Sequence, residues 1–397
     1  LKNHIKFTAV GLIIILSSFL LSSKSKTSNN KEIKTSIVAE AEIEENSNVL
    51  IERYSENEAQ KVSHKLDLLL KNINKRQDFN GALLVAKNGK IVYSNQIGFA
   101  DFKKKELIND ASVFQLASVS KQFTAAAIML LFEREQIQLE DNVNSYFPAF
   151  PYEHVTIKNL LNHTAGLPKY FWIAENKWKQ AKAPSNSEMM ELLESSNVQR
   201  FFKPGRNFDY SNTGYFVLAS IVEKVSGISF NDFVKKNIFD PLGMKNSFVY
   251  NYENDSIAVN QLDGYKLYRG WRHRRINRTV NDAVVGDKNV YSTSEDLLKW
   301  TVGLNTGKLL SKSSLDLMYA KGETVYGRKI PYGFGFRIDP KDEKTIYHHG
   351  KWNGFSTSLT QYLDDDLVVI VLEHTSYSGM TALNKKVKKI VTDYFHA

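Results

Sequence analysis

The feature that most constrains this chain is where its strand-forming segments fall: at both ends, with helix-forming sequence between them. Near the start, Ala82–Lys87 and Lys90–Phe99 are strand-like and are joined by Asn88-Gly89. That pair accepts the positive φ angles a two-residue hairpin turn requires. Near the end, Tyr332–Asp339, Thr345–His349, Phe355–Tyr362 and Leu367–His374 read as strands. Apolar residues recur at helical spacing over Glu56–Arg76 and over Met380–Phe395, and residues from about 117 to 245 are mostly helical with loops. The order predicts an α+β fold: one antiparallel sheet formed from both ends of the chain, with flanking helices and a helical insertion. Nothing repeats at a fixed period, which excludes a solenoid or propeller.

The first residues read differently from the rest. Lys2, His4 and Lys6 form a basic start, and Thr8–Leu21 is apolar or small. This stretch is shorter than the roughly 20 residues of a spanning helix, so residues 1–23 are expected to be a secretory signal peptide. No clean small-x-small cleavage site follows, which leaves an N-terminal anchor, tethering the chain to a membrane, as the alternative. Residues 24–55 are rich in Lys, Ser, Asn and Glu and read as a flexible linker. The folded domain is then expected over 56–397.

Composition excludes several chemistries. The 397 residues include no cysteine, so disulfides, thiolate zinc sites and cysteine nucleophiles are ruled out. The formal net charge is +9, and part of it is clustered. Arg269, Arg272, Arg274, Arg275 and Arg278 surround Trp271 and His273, and a second run is Lys385–Lys389. Charge runs are most often solvated surface; the Arg cluster could also border a cleft and favour an anionic substrate. With no recognised nucleic-acid module and an export signal expected, nucleic acid is not an expected partner.

The chemistry centres on Ala117-Ser118-Val119-Ser120-Lys121, followed by the apolar run Thr124–Phe132. A helix so apolar is buried, and residues three apart share a face, so Lys121 can reach the Ser118 hydroxyl. Burial lowers a lysine pKa and produces a base near neutrality, while free N–H groups at a helix start favour developing negative charge. Alone the pair is weak. Ser23-Lys24-Ser25-Lys26 matches the same spacing, and a serine at this place also caps helices. Tyr210-Ser211-Asn212 is the second element, set at a turn after Lys203-Pro204-Gly205 and before the apolar helix Tyr215–Val225. Tyr93-Ser94-Asn95 and Tyr252-Glu253-Asn254 match it too, but in a strand and in a polar loop. The third is His348-His349-Gly350-Lys351 on a late strand. No metal-ligand spacing accompanies these histidines, so no metal site and no cofactor are expected.

Taken in order, Ser-x-x-Lys, Tyr-x-Asn and a His-x-Gly strand resemble the serine β-lactamase and penicillin-binding protein superfamily. The Tyr-x-Asn form resembles class C β-lactamases, D-alanyl-D-alanine carboxypeptidases and related esterases. Leu160–Leu167, Phe201–Gly205, Pro241–Met244, Gly286–Trp300 and Tyr332–Gly335 resemble further phrases of that group. The resemblance covers about residues 60–397. It implies Ser118 as the acylated nucleophile, Lys121 as its base, and Tyr210 as proton shuttle to the leaving group and base for the deacylating water. It implies Asn212 as holder of the acyl side chain's amide and His348 as an electrostatic tuner of Tyr210. Gly350 belongs to the substrate-binding strand, and the backbone N–H groups of Ser118 and Lys351 form the oxyanion hole. His163 is expected to be structural.

One position departs from the pattern. His349 stands where carboxylate-binding members carry Thr or Ser, which removes a hydroxyl. The expected function is an exported, periplasmic or envelope-associated serine acyl-hydrolase. It would cleave an ester or amide of a small-molecule or peptide substrate, such as a cell-wall peptide or D-amino-acid ester. A true β-lactamase, or a binding or sensor protein that keeps the fold, are the alternatives.

Overall fold

The computed structural model describes residues 49–250 and 258–395. The N-terminal segment expected over 1–23, the linker up to residue 48 and Tyr252–Asn254 lie outside the described residues. The elements that position the site are, in order, α1 (Glu56–Gln77), β1 (Gly81–Lys87), β2 (Lys90–Ile97), α2 (Lys121–Glu133), α3 (Asn212–Ser226), β3 (Tyr265–Tyr268), β4 (Arg272–Arg275), β5 (Arg337–Ile338), β6 (Thr345–Trp352), β7 (Phe355–Tyr362), β8 (Leu367–Glu373) and α4 (Met380–Phe395).

The main sheet has six strands in the order β5-β6-β7-β8-β1-β2. Every pairing is antiparallel, and the two ends of the chain meet where β1 lies beside β8, Leu84 opposite Ile370. Asn88 and Gly89 take φ of 52° and 72° at the β1–β2 turn, the left-handed pair expected of Asn-Gly. In α1, Ser55 accepts from the Glu58 N–H while the Glu58 carboxylate reaches back to Ser55, a capping box that fixes where the helix starts.

Both faces of the sheet are covered, and β1 and β8 accordingly are near-continuous apolar runs. Leu83 and Val85 of β1 with Val369 and Val371 of β8 pack against Val62 and Leu66 of α1 and Leu383 and Val387 of α4. Their neighbours Ala82, Leu84, Ile370 and Leu372 turn the other way, into a larger core shared with Ala125–Met129 of α2. Each fully buried Val or Leu contributes about 1.5–3 kcal/mol. The sheet and the helical body are thus held at fixed spacing, and the site lies at their junction.

Two boundaries differ from expectation. Ordered packing begins before residue 56: Val49 is buried, and Glu52 and Tyr54 exchange backbone hydrogen bonds with Ile91 at the edge of β2. The tail of the expected linker is therefore docked on the sheet. The strand expected over Tyr332–Asp339 shrinks to Arg337–Ile338. Gly335, at φ 78°, lies so close to α2 that a Cβ would sit 2.9 Å from both the Lys121 carbonyl oxygen and the Gln122 Cα. Close approach to the helix, not strand pairing, sets the backbone there.

Candidate active site

Ser118 lies in a single 3-10 turn, Ala117–Ser120, that runs directly into α2. The preceding Ala117 has φ 48°, a left-handed conformation costly for a residue with a Cβ. Ser118 is half-buried, whereas Lys121, at the first position of α2, is completely buried. The Lys121 Nζ donates to Ser118 Oγ at 3.2 Å, to Asn212 Oδ1 at 2.7 Å and to the Asp287 carbonyl oxygen at 2.8 Å. Burial pulls its pKa down to about 7; Asp287 opposes the shift and Arg337 reinforces it. The ammonium's three donors are all used, so the lysine is fixed in place and still titrates near neutrality.

Tyr210 and Asn212 reach the site from the start of α3. The Ser211 side chain accepts from the Gly214 N–H and caps that helix, which places residues 210 and 212 on either side of the cap. Lys121 Nζ is 5.0 Å from the centre of the Tyr210 ring. The Tyr210 hydroxyl is shielded from solvent and has no hydrogen-bond partner. Burial pushes its pKa up, while the nearby Ser118 hydroxyl and the Arg337 guanidinium act in the opposite direction. The Ser118 hydroxyl thus favours the phenolate without meeting hydrogen-bond geometry. Tyr210 is held neutral and ready to donate.

Strand β6 closes the site from the sheet side. A Cβ on Gly350 would lie 2.2 Å from the Leu116 carbonyl oxygen and 3.0 Å from the Ala117 Cβ. Only glycine lets the strand come this close to the turn carrying Ser118, and Thr357 fastens the contact by donating to the same Leu116 carbonyl at 2.6 Å. Lys351 follows in the strand, paired with Ser356, and its side chain is exposed.

His348 is fully buried on the site face, with its ring 6.0 Å from that of Tyr210. Nε2 is 3.0 Å from the Tyr332 hydroxyl and Nδ1 is 2.8 Å from the His349 carbonyl oxygen. Burial and the charges of Arg337 and Lys121 push its pKa well below the ordinary value, so the ring is neutral. Besides Lys121, a second cation stands next to Tyr210: Arg337, with its guanidinium carbon 4.9 Å from the Tyr210 ring centre and 5.8 Å from that of Tyr332. No sequence phrase singled it out: it is one arginine on a two-residue edge strand.

His349 does not enter the site. Strand side chains alternate between faces, and its ring packs beside Tyr347, 5.0 Å away. Together they line a cavity of about 500 Å³ under α4, on the opposite side of the sheet. His163, expected to be structural, is buried against the site, and its Nε2 has no hydrogen-bond partner among the described residues. Its Nδ1 accepts from the Ser211 N–H at 3.1 Å, and its ring packs 4.4 Å from Tyr210 and 4.4 Å from Tyr332.

A second buried lysine lies beside the first. Lys288 Nζ is 3.1 Å from the Asp287 carboxylate and 2.5 Å from the Tyr170 hydroxyl, and Tyr170 donates to the same carboxylate at 3.1 Å. Asp287 is also the residue whose carbonyl holds Lys121. The cue in the sequence is an adjacent Asp-Lys pair between apolar neighbours, Val284-Val285 and Val290; buried charges occur as pairs. Among the described residues no cluster of His, Asp or Glu could hold a metal ion.

A nucleophile-placed serine, a buried lysine near neutrality and a neutral tyrosine, meeting where a helix start abuts an antiparallel sheet, define a serine hydrolase of the β-lactamase and penicillin-binding protein superfamily. Residues 66–391 match the model of the Beta-lactamase family, and the chain belongs to that family. It is 35% identical over 326 residues to penicillin-binding protein 4* of Bacillus subtilis, spanning 78% of this chain and 71% of that one. It is 24% identical over 271 residues to the D-aminopeptidase of Brucella anthropi, spanning 68% of this chain and about half (51%) of that protein. Among solved structures, a penicillin-binding protein from Bacillus halodurans superposes with a TM-score of 0.71 at 26% identity, covering 81% of this chain and 98% of that one. A class C β-lactamase shares the fold, with a TM-score of 0.69 at 19% identity, covering 85% and 98%.

Proposed function

We propose that the protein is an exported serine acyl-hydrolase that works through an acyl-enzyme on Ser118. Its substrate would be an ester or amide carrying a D-amino acid, of the kind found in cell-wall peptides. The observation that carries this reading is Lys121, completely buried, hydrogen-bonded to Ser118 and titrating at about 7.

In the proposed reaction, neutral Lys121 takes the Ser118 hydroxyl proton as Oγ attacks the acyl carbon. The backbone N–H groups of Ser118 and Lys351 hold the oxyanion. When the tetrahedral species collapses, the Tyr210 phenol gives its proton to the departing alcohol or amine, and the Lys121 ammonium reprotonates the phenolate. Water then attacks the acyl-enzyme with its proton drawn toward Tyr210 and Lys121, and Ser118 is released protonated. The Asn212 carbonyl oxygen is engaged by Lys121, which leaves its amide N–H groups to hold the acyl side chain. Arg337 supplies the positive charge beside Tyr210 in place of a charged His348.

Two features support the choice of substrate. The names of the relatives, a penicillin-binding protein and a D-aminopeptidase, point to D-configured acyl groups. The site face of β6 carries no hydroxyl at 349, since that side chain is a histidine turned to the far face. Position 349 thus supplies no hydroxyl donor for a substrate carboxylate, which weakens the case for β-lactams relative to esters and N-terminal D-residues. Export rests on the basic, then apolar, first residues and on the envelope role implied by the relatives' names. Among the described residues no helix is long and apolar enough to cross a membrane.

Turnover of a D-alanyl ester, a D-alanyl amide, a D-alanyl-D-alanine peptide and nitrocefin, by wild type and by Ser118→Ala, tests the reading. Ester or amide turnover well above nitrocefin, lost in Ser118→Ala, is the expected result. Nitrocefin as the best substrate would make the protein a β-lactamase. No turnover of any, in folded protein, would leave a binding protein that keeps the fold.

A further inference from the structure

The arginine cluster found in the sequence has no part in the site described above. It folds as a two-stranded hairpin, β3 and β4, whose turn places Arg269 at φ 54° and Gly270 at φ 76°. Residues opposite one another in an antiparallel pair share a face, so the register separates two surfaces. Tyr265 with Arg275, and Leu267 with His273, form the first. Its Tyr265 and His273 pack inward while Leu267 and Arg275 stay exposed: the His273 ring stacks on Phe102 at 3.7 Å, Tyr265 meets Phe102 at 4.9 Å, His273 bonds Asp78 and Arg275 pairs with Asp263 at 2.8 Å. Lys266 with Arg274, and Tyr268 with Arg272, form the second.

That second surface is unlike an ordinary solvated one. Lys266, Arg269, Arg272 and Arg274 are exposed, and none has an acidic partner among the described residues. Arg274 lies on the Tyr268 ring at 3.8 Å, which stiffens it without neutralising it. Two like charges stand directly opposite each other, Lys266 across from Arg274, an arrangement that destabilises a hairpin. At the tip, Trp271 is 74% exposed; it borders a groove lined also by Lys103, Asp101 and Asp263.

We propose that this hairpin is a docking surface for an anionic lipid bilayer. Phosphate headgroups would meet the outward cations and the Trp271 indole would sit at the interface just below them. The guanidinium fork matches phosphate oxygens, and cations beside an anionic surface gain from its potential. A soluble polyanion would satisfy those charges but would leave an almost bare indole in water. A bilayer gives that ring the half-apolar, half-polar layer in which tryptophan concentrates. Loss of self-repulsion between Lys266 and Arg274 on meeting phosphate accounts for both strands carrying the same sign.

The test compares the full-length chain with Arg272→Ala/Arg274→Ala and with Trp271→Ala. Vesicles are of phosphatidylcholine alone or mixed with phosphatidylglycerol, and a fluorophosphonate label at Ser118 reports intact folding. Sedimentation should show binding that needs phosphatidylglycerol and weakens with salt. The double variant should lose about twenty-five-fold in partitioning, roughly fivefold per cation. Trp271→Ala should bind more weakly and lack the blue shift in indole emission that wild type shows with the mixed vesicles. Unchanged partitioning of both variants would overturn the proposal. So would equal loss on neutral vesicles, or tight binding to soluble polyphosphate without preference for anionic vesicles.

Discussion

Replacing Arg337 by glutamine should move the acid limb of the acylation profile upward. Arg337 and Lys121 lie on the same tyrosine, at 4.9 Å and 5.0 Å from its ring centre, so the two cations are within about 10 Å of each other. At an effective dielectric of about 20, unit charges at ~10 Å repel by roughly 1.7 kcal/mol. Arg337 is half-buried, so solvent screening leaves about half of that, or ~0.6 of a pKa unit at 1.36 kcal/mol per unit. The sign follows from Arg337 holding the Lys121 pKa down: without it the ammonium is favoured and the neutral base becomes scarcer. A limb near 7 should rise to ~7.6, and acylation at neutral pH should fall about twofold, while the alkaline plateau, set by neutral Lys121, keeps its height apart from any change in Tyr210. The assay is the rate of fluorophosphonate labelling across pH at low salt, repeated at high salt, where the wild type should shift part of the way toward the variant. An acid limb that stays put or moves down, in a variant that melts like wild type, would refute the reasoning.

Other outcomes are equally specific. Gly350→Ala should cost ~1–3 kcal/mol through overpacking against Leu116 and about a hundredfold or more in labelling rate, because it pushes β6 off the serine turn; a stability loss with full labelling would contradict it. Lys288→Met should be destabilised by ~3–5 kcal/mol in thermal or denaturant unfolding, because Asp287 would be left buried and uncompensated. Asp287→Asn/Lys288→Met should regain much of that, and equal losses in both variants would count against the pairing. Glu373, buried in β8, has its pKa raised to about 8 by desolvation, against hydrogen bonds from Thr375 and Tyr377. The folded state thus holds a proton that the unfolded chain releases near 4.5, so Glu373's contribution is whole below that pH and declines as pH rises to about 8. Glu373→Gln should flatten the loss of melting temperature between about pH 5 and 8.5; an unaltered pH dependence would remove Glu373 from the account.

Much of this site could be read in the sequence because its spacing is local. Ser118 and Lys121 are one helical turn apart, and Tyr210 and Asn212 flank a helix cap, so short-range geometry brings each pair into register. The sheet was legible for a similar reason: β1 and β8 are apolar runs bounded by turns. What was hidden depends on contacts distant in sequence. Arg337 acquires its place over Tyr210 only through pairing of the edge strand with Tyr347. The Tyr332 hydroxyl, sixteen residues from His348, takes the bond that the sequence assigns to no one. His349 was read with its neighbours as one motif, whereas the pleat sends it to the other face of the sheet. The Tyr332–Asp339 run looked like a strand because its aromatics alternate, yet Gly335 tucks against α2.

The most direct test is the intact mass of the protein after reaction with a fluorophosphonate, with the modified peptide then sequenced. One adduct on Ser118, absent in Ser118→Ala and formed with an acid limb near pH 7 that disappears in Lys121→Met, is the predicted result. An adduct on any other residue, or none at Ser118 in folded protein, would contradict the assignment of Ser118 as nucleophile and Lys121 as its base.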